Sequence, residues 1–460
     1  MKHTTFLAFA TVLSALALDA ADISNLQVRQ QWPFSTKINV TFDLSGVSAE
    51  NPADVTLRAY NGSVELDAAR LDRATVGKRL NLKENRTYAL TIDPDLAFEP
   101  GTANLPDFRL KVSATAVAES SKEALYKIVN LQSPYDVVDV TRAELINGER
   151  GAIVRDYARI GEGYSTSLDD VLIWTGVTND IAYKTTHMVL RKIPAKDKTF
   201  FFAGKCNVSF TNDFYIGVFE VTQAQYKKGF GSHPAGGSNE TNADFADYRP
   251  VDRMYFYTGM RAKKGDNAKA SLWPKGDHTD VDDGSFFATL QQHIKLVFDL
   301  PTEAMWEFAC RAGTTTDFYT GEAASEVAAT NIMRAYLVNC VNANGKSKSA
   351  PEDCDLTDGT AWVGTYRPNA YGLYDMLGNA EELCLDKYAK TIGTADVVDP
   401  RGPEESTNEL KDDRVTRGGS YWTAVSSCKV LSRSYMHAAQ NPRNLGFRVC
   451  LYPDCSVKAE

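Results

Sequence analysis

Two stretches decide how this chain is read: NAYGLYDMLGNAEELCLDKY, residues 369–388, and RVTRGGSYWTAVSSCK, residues 414–429. The second places a cysteine, Cys428, shortly after the glycine pair Gly418 and Gly419. Two glycines, a serine and aromatics suit a backbone that turns tightly or approaches another group closely. The question they raise is whether Cys428 is a reactive thiol or half of a structural disulfide.

Composition narrows the answer. A chain of 460 residues is too long for one ordinary core and predicts two or three domains. Its 43% hydrophobic and 24% charged residues are those of a globular protein. A net charge of -9 argues against nucleic acid or an anionic membrane surface as partner, because phosphates demand a basic face.

The N-terminus reads as an export signal over residues 1–20: a lysine in MKHTT, the short apolar run FLAFATVLSALAL, then the small residues Ala17 and Ala20. The run is short for a spanning helix, and no second apolar run of membrane length follows, so no transmembrane span is expected. The expected location is periplasmic or secreted. In an oxidising compartment eight cysteines suggest disulfides before metal ligands, although 105 connectivities are open to them. Cys340 and Cys354 bracket a polar insertion, VNANGKSKSAPED, that cannot bury enough apolar area to hold itself. A disulfide between them is predicted, worth about 3 kcal/mol in the chain-entropy model.

Residues 21–117 read as an immunoglobulin-like β-sandwich. KINVTFDL, DVTLRAY, RTYALTI and FRLKVSATA are short period-two runs separated by turn formers. Residues 118–187 read as a linker and entry segment, and 188–455 as an α+β region with few helices. Three helices are predicted there. One starts at Thr222 with Gln225 completing a capping box, and one at Ser285. The third starts at Thr302 and ends at Gly313, with Met305, Phe308 and Ala309 as its apolar stripe. The acidic loop GDHTDVDDG lacks EF-hand spacing and reads as solvated. P-loop, GxGxxG, GxSxG and HExxH patterns are absent.

Four blocks taken in order are more specific: FYIGVFEVTQAQY (214–226), FDLPTEAMWEFACRAG (298–313), the 369–388 stretch, and RVTRGGSYW…NLGFRVC (414–450). Together they resemble the formylglycine-generating enzyme, or sulfatase-modifying factor, family over about residues 188–450. The resemblance implies an irregular α+β fold akin to the C-type lectin fold. It also implies a copper-dependent oxidation of a sulfatase cysteine to formylglycine, with Cu(I) held between two thiolates, soft ligands for a soft ion.

Position by position, Cys428 matches the second active-site cysteine and Ser420 the serine of the GGS turn. The first cysteine would fall at 423, where this chain has Thr423. A hydroxyl cannot replace a thiolate on Cu(I), so the resemblance implies an incomplete copper site. In GNAEEL, Glu381 and Leu383 stand where the family has tryptophans on either side of the acidic residue. The family's structural calcium would take the side chains of Asp375 and Glu382 and the carbonyls of Gly378 and Ala380. The alternative is that Glu382 pairs with Arg448. Disulfides between Cys384 and Cys428, and between Cys310 and Cys450, also follow from the resemblance. Three functions stay open: a family oxidase acting on a sulfatase or another exported protein; a non-catalytic binding protein, for example of glycans; and an oxidase of some other substrate.

Overall fold

The computed structural model describes residues 10–12, 21–31, 35–96, 105–155, 172–231, 246–256, 259–261, 278, 281–319, 360–408, 412–421, 423, 427–453 and 455. The chain divides into two compact units, residues 1–125 with 140–155, and residues 126–139 with 156–460.

The first unit is a β-sandwich built from the period-two runs. Along Ile38–Ser45 the residues Ile38, Val40, Phe42 and Leu44 are buried and their neighbours are not. Such alternation puts one face of the strand in the core. This strand lies between Asp22–Gln30 and Arg86–Ile92, antiparallel to both. The facing sheet pairs Ala53–Asn61 antiparallel with Phe108–Ala116. Asn147 tethers a later segment of the same unit, accepting the backbone N–H groups of Arg79 and Leu80 and donating to the Leu80 carbonyl.

The second unit is α+β, with two larger sheets and three helices that position the candidate site. A six-stranded sheet includes His187–Ile193, Phe214–Gly217 and Cys450–Leu451 as successive neighbours. A four-stranded sheet runs Arg433–His437, Asp413–Arg417, Glu381–Lys387, Leu445–Gly446. The capping signals read in the sequence set the helices. Thr222 and Gln225 form the full capping box at Gln223–Phe230. Ser285 caps Phe286–Ile294, and Thr302 caps Glu303–Arg311. The last helix stops where Ala312 and Gly313 both take positive φ.

Its buried face differs from the expected stripe. Phe308 and Ala309 are buried, but Met305 is only half-buried, and Glu303, Trp306, Glu307 and Cys310 join the core. The two glutamates can be buried because arginines meet them. Arg417 bonds both Glu303 and Glu307, Arg433 bonds Glu303, and Arg311 bonds Glu307. Buried charge is tolerable only when paired and hydrogen-bonded in this way.

The cysteines correct two expectations. Cys310, Cys384 and Cys450 are free thiols, so neither Cys384–Cys428 nor Cys310–Cys450 is a disulfide. Cys384 faces an apolar cluster with Met376, Val415 and Val430, whereas the Cys428 sulfur lies against Gly419 and Thr423. Cys450 sits in strand pairing with Ile216 and Asp299. Burial pushes the thiols of Cys310, Cys384 and Cys450 up. Cys340 and Cys354 lie outside the described residues. Among the described residues no helix is long and apolar enough to cross a membrane.

Candidate functional site

The glycine pair ends the strand Asp413–Arg417 and turns the chain beneath the core. Gly418 and Gly419 both have positive φ, 89° and 68°. A Cβ on Gly418 would stand 3.0 Å from the Met376 carbonyl, and one on Gly419 would stand 2.8 Å from Cys428 Sγ. Glycine is required twice over, for conformation and for space.

Below that turn lie the matched residues. The Ser420 N–H donates to Thr423 Oγ1 at 3.0 Å, and the two hydroxyls are 3.3 Å apart. Cys428 is fully buried, with Sγ 3.8 Å from the Thr423 carbonyl oxygen. The structure thus brings Ser420, Thr423 and Cys428 together, as the motif implied. What the single thiol meets at residue 423 is the backbone carbonyl, while the Thr423 hydroxyl is engaged by Ser420. This donor set does not fit a Cu(I) ion that needs two thiolates.

Sequence reading missed the polar groups that continue this cluster. Asn444 Nδ2 donates to Ser420 Oγ at 3.1 Å and to Glu381 Oε2 at 3.4 Å. Glu381, half-buried where the family has an aromatic, also accepts the Thr416 hydroxyl. Burial pushes its carboxyl up, against the pull of the Thr416 and Ser434 hydroxyls. The signal was present in the quoted blocks: Asn444 opens NLGFRVC, and Glu381 is the carboxylate that displaces an aromatic. Leu383, at the other altered position, is a core residue.

Beneath the loop Asp375–Ala380 lies a second buried group of charges. Glu382 receives Arg448 at both oxygens, 2.5 and 2.7 Å, and the Trp306 indole N–H at 2.7 Å. Asp375, at φ 57°, accepts the Gly364 N–H through Oδ2 at 2.7 Å. Its Oδ1 is buried with no hydrogen-bond partner. Glu220, which sequence reading passed over, accepts the Ala380 N–H at 2.8 Å and the Asn379 side chain. Its only sequence signal is an acid in the apolar run IGVFEV.

Burial pushes Glu220 well above the ordinary carboxylate range, and Asp375 and Glu382 add to it. Burial likewise raises Asp375 to about 6, tempered by the Gly364 N–H, Arg448 and Lys184. Lys184 is itself pulled down by burial. Three carboxylates here face two cations. Of the expected calcium ligands, Asp375 fits, because its orphaned oxygen is a hard donor; Glu382 does not, because Arg448 and Trp306 occupy it. Among the described residues no cluster of three or more His, Cys, Asp or Glu side chains is arranged to hold a metal.

Comparison with known proteins places this unit. Residues 185–452 match the sulfatase-modifying factor enzyme 1-like domain. Formylglycine-generating enzyme from Bos taurus is 30% identical over 152 residues, 32% of this chain and 37% of that protein. The enzyme from Streptomyces coelicolor is 35% identical over 153 residues, 32% of this chain and 45% of that protein. These matches span less than half the length of either enzyme. Chaperone protein LppX from Paenibacillus barcinonensis is 25% identical over 232 residues, 48% of this chain and 73% of that protein. Among solved structures, Treponema denticola variable protein 1 aligns with a TM-score of 0.43 at 21% identity, covering 58% of this chain and 96% of that one.

Proposed function

Since the chain belongs to the sulfatase-modifying factor enzyme 1-like family, we propose that it is an exported member that binds its target without the two-thiolate copper chemistry of the family's oxidases. The observation that carries this reading is Thr423. It stands at the first thiolate position, and its hydroxyl already takes the Ser420 N–H. Cys428 is left as a single buried thiol. The recognition surface has changed along with it. By the family match Glu381 and Leu383 stand where tryptophans would, and Glu381 there accepts hydrogen bonds from the Asn444 amide and the Thr416 hydroxyl. Such groups suit a polar ligand, a glycan or a segment of another exported protein, better than an apolar one.

The deciding experiment is a Cu(I) titration against a chromophoric chelator, comparing the wild-type protein with Thr423→Cys. Restoring the thiol should give one tightly held Cu(I) per chain that Cys428→Ser removes. The wild type should hold none through Cys428. Stoichiometric Cu(I) in the wild type, lost in Cys428→Ser, overturns the proposal and returns the protein to the oxidases.

A further inference from the structure

A cavity of about 310 Å³ in the second unit shares no residue with the Ser420–Thr423–Cys428 site. Phe210, Phe214, Met305 and Tyr452 give it an apolar wall, and His278, Arg401 and Cys455 bring chemistry to it. We propose that this cavity is a thiol–disulfide exchange site for small anionic disulfides, with Cys455 as the nucleophile and His278 as its base.

The base is built from behind. His278 belongs to the acidic loop that reads as solvated, yet it is 98% buried (2% exposed). Its Nδ1 lies 2.9 Å from Asp299 Oδ2. Arg261 binds the same carboxylate through both oxygens, at 2.9 and 3.0 Å. Burial pushes Asp299 up, but Arg261 and His278 outweigh it and hold the acid below its usual value. An ionised carboxylate only accepts, so the ring proton must sit on Nδ1. In the neutral ring Nε2 is then an acceptor, and no hydrogen bond to it is made among the described residues. The Tyr452 ring packs on the imidazole, 3.8 Å between centroids, and fixes its plane. A carboxylate-oriented imidazole lining the same cavity as a partly exposed thiol supplies the groups that activate a sulfur nucleophile.

The nucleophile is chosen by exposure. Cys206, Cys310, Cys384, Cys428 and Cys450 are buried; among the described cysteines only Cys455 reaches a cavity while partly exposed. The ligand's charge follows from the cavity's carboxylates, which are already engaged. Asp213 pairs with Lys192 at 3.0 Å and takes the Lys196 N–H. Asp399 takes both the N–H and the hydroxyl of Thr211. Arg401 has no ion-pair partner among the described residues, so its guanidinium is available to a carboxylate.

The exchange balances without another oxidant. The Cys455 proton passes to His278 Nε2, and the thiolate attacks one sulfur of the ligand disulfide. That S–S bond breaks, and the departing thiolate takes the proton back from His278. The products are a mixed disulfide on Cys455 and one small thiol, the ligand disulfide having supplied the oxidation.

The test uses the full chain carrying Cys340→Ser and Cys354→Ser, so that labelling reports the described thiols. Three probes are compared: the dianionic aromatic disulfide dithiobis-nitrobenzoate, neutral dithiodipyridine, and cationic cystamine. One equivalent of small thiol should be released, mapped to Cys455, about tenfold faster than from an unstructured cysteine peptide near neutral pH. Arg401→Gln should lower the anionic-to-neutral rate ratio. His278→Gln should slow exchange at about pH 6–7 and spare it in alkali, where the thiolate forms unaided. The other groups facing the pair, Asp299, Tyr452 and Cys450, are unchanged in Arg401→Gln, so that variant decides the matter if His278→Gln fails to fold. Release from another cysteine, a peptide-like rate, or a ratio unmoved by Arg401→Gln overturns the proposal. So does recovery of Cys455 in a disulfide within the protein.

Discussion

Asp386→Asn should make the second unit more stable at alkaline pH and leave it nearly unchanged in mild acid. Asp386 lies on the strand Glu381–Lys387 and is 4% exposed. Its Oδ2 accepts the N–H of Glu303, the first residue of the Glu303–Arg311 helix, at 2.7 Å. Beside it is an apolar cavity of about 190 Å³ walled by Phe202, Val208 and Ile392. Burial pushes its carboxyl from 3.8 to about 7, and the Glu303 charge adds to the push; the Glu303 N–H, Arg433 and Arg414 pull the other way.

A shift of about three units at ~1.36 kcal/mol each sets an upper limit of about 4 kcal/mol. The sign follows from proton uptake. The folded state binds the proton more tightly, so the stability is fully present below the unfolded value near 4. It is lost as pH rises through about 7. Asparagine keeps an acceptor for the helix N–H and never ionises. The melting difference between variant and wild type should therefore be smallest near pH ~4 and grow by on the order of 10 °C by pH ~8. Calorimetry on both proteins across that range reads it directly. A difference that stays flat, or falls as pH rises, would mean that Arg433 and Arg414 hold Asp386 as an ion pair, and the reasoning fails.

Two further outcomes are expected. Gly419→Ala should lose about 2–4 kcal/mol, from the left-handed backbone and from a Cβ set 2.8 Å from Cys428 Sγ. Adding Cys428→Ala should recover the packing part only, and a Gly419→Ala protein as stable as wild type in denaturant melts would refute this account. Calcium bound through the orphaned Asp375 Oδ1 should stabilise the fold by about 2.7 kcal/mol at a hundredfold excess over Kd, read as a higher melting temperature. Asp375→Asn should shrink that gain, and identical melts of the wild type in calcium and in chelator would count against any cation at that oxygen.

Much of the frame was legible because it rests on local chemistry. Thr222, Ser285 and Thr302 announce their helices by side-chain oxygens that cap them, and period-two alternation announces Ile38–Ser45. The site was legible in one dimension only. Motif spacing brought Ser420, Thr423 and Cys428 together, but Asn444 and Glu381 meet them through strand pairing. Glu381 lies opposite Leu445 in a parallel ladder and Thr416 lies opposite Ser434 in an antiparallel one. Such registers are long-range and leave no period in the sequence. The thiols failed for a related reason. Closeness of two segments in a family does not fix where their side chains point, and Cys384 points into the apolar cluster. His278 was hidden because its partner Asp299, and the Arg261 that holds Asp299, come from other parts of the chain.

The architecture also explains how this chain can carry Thr423 and keep its fold. The second unit is held by arginines of its last strands and by the acids they meet. Arg417 and Arg433 meet Glu303, Arg417 also meets Glu307, and Arg448 meets Glu382. Each of these pairs is largely desolvated, and removing one partner of such a pair costs about 3–5 kcal/mol. Residue 423 belongs to none of them. Its hydroxyl touches Ser420, and Ser420 touches Asn444, so a change there alters this polar cluster without reaching the ion pairs. A frame that does not run through residue 423 leaves that position open to change. Glu381 at the start of its strand and Asn444 set the polar groups beside Ser420, and the proposed binding role rests on them.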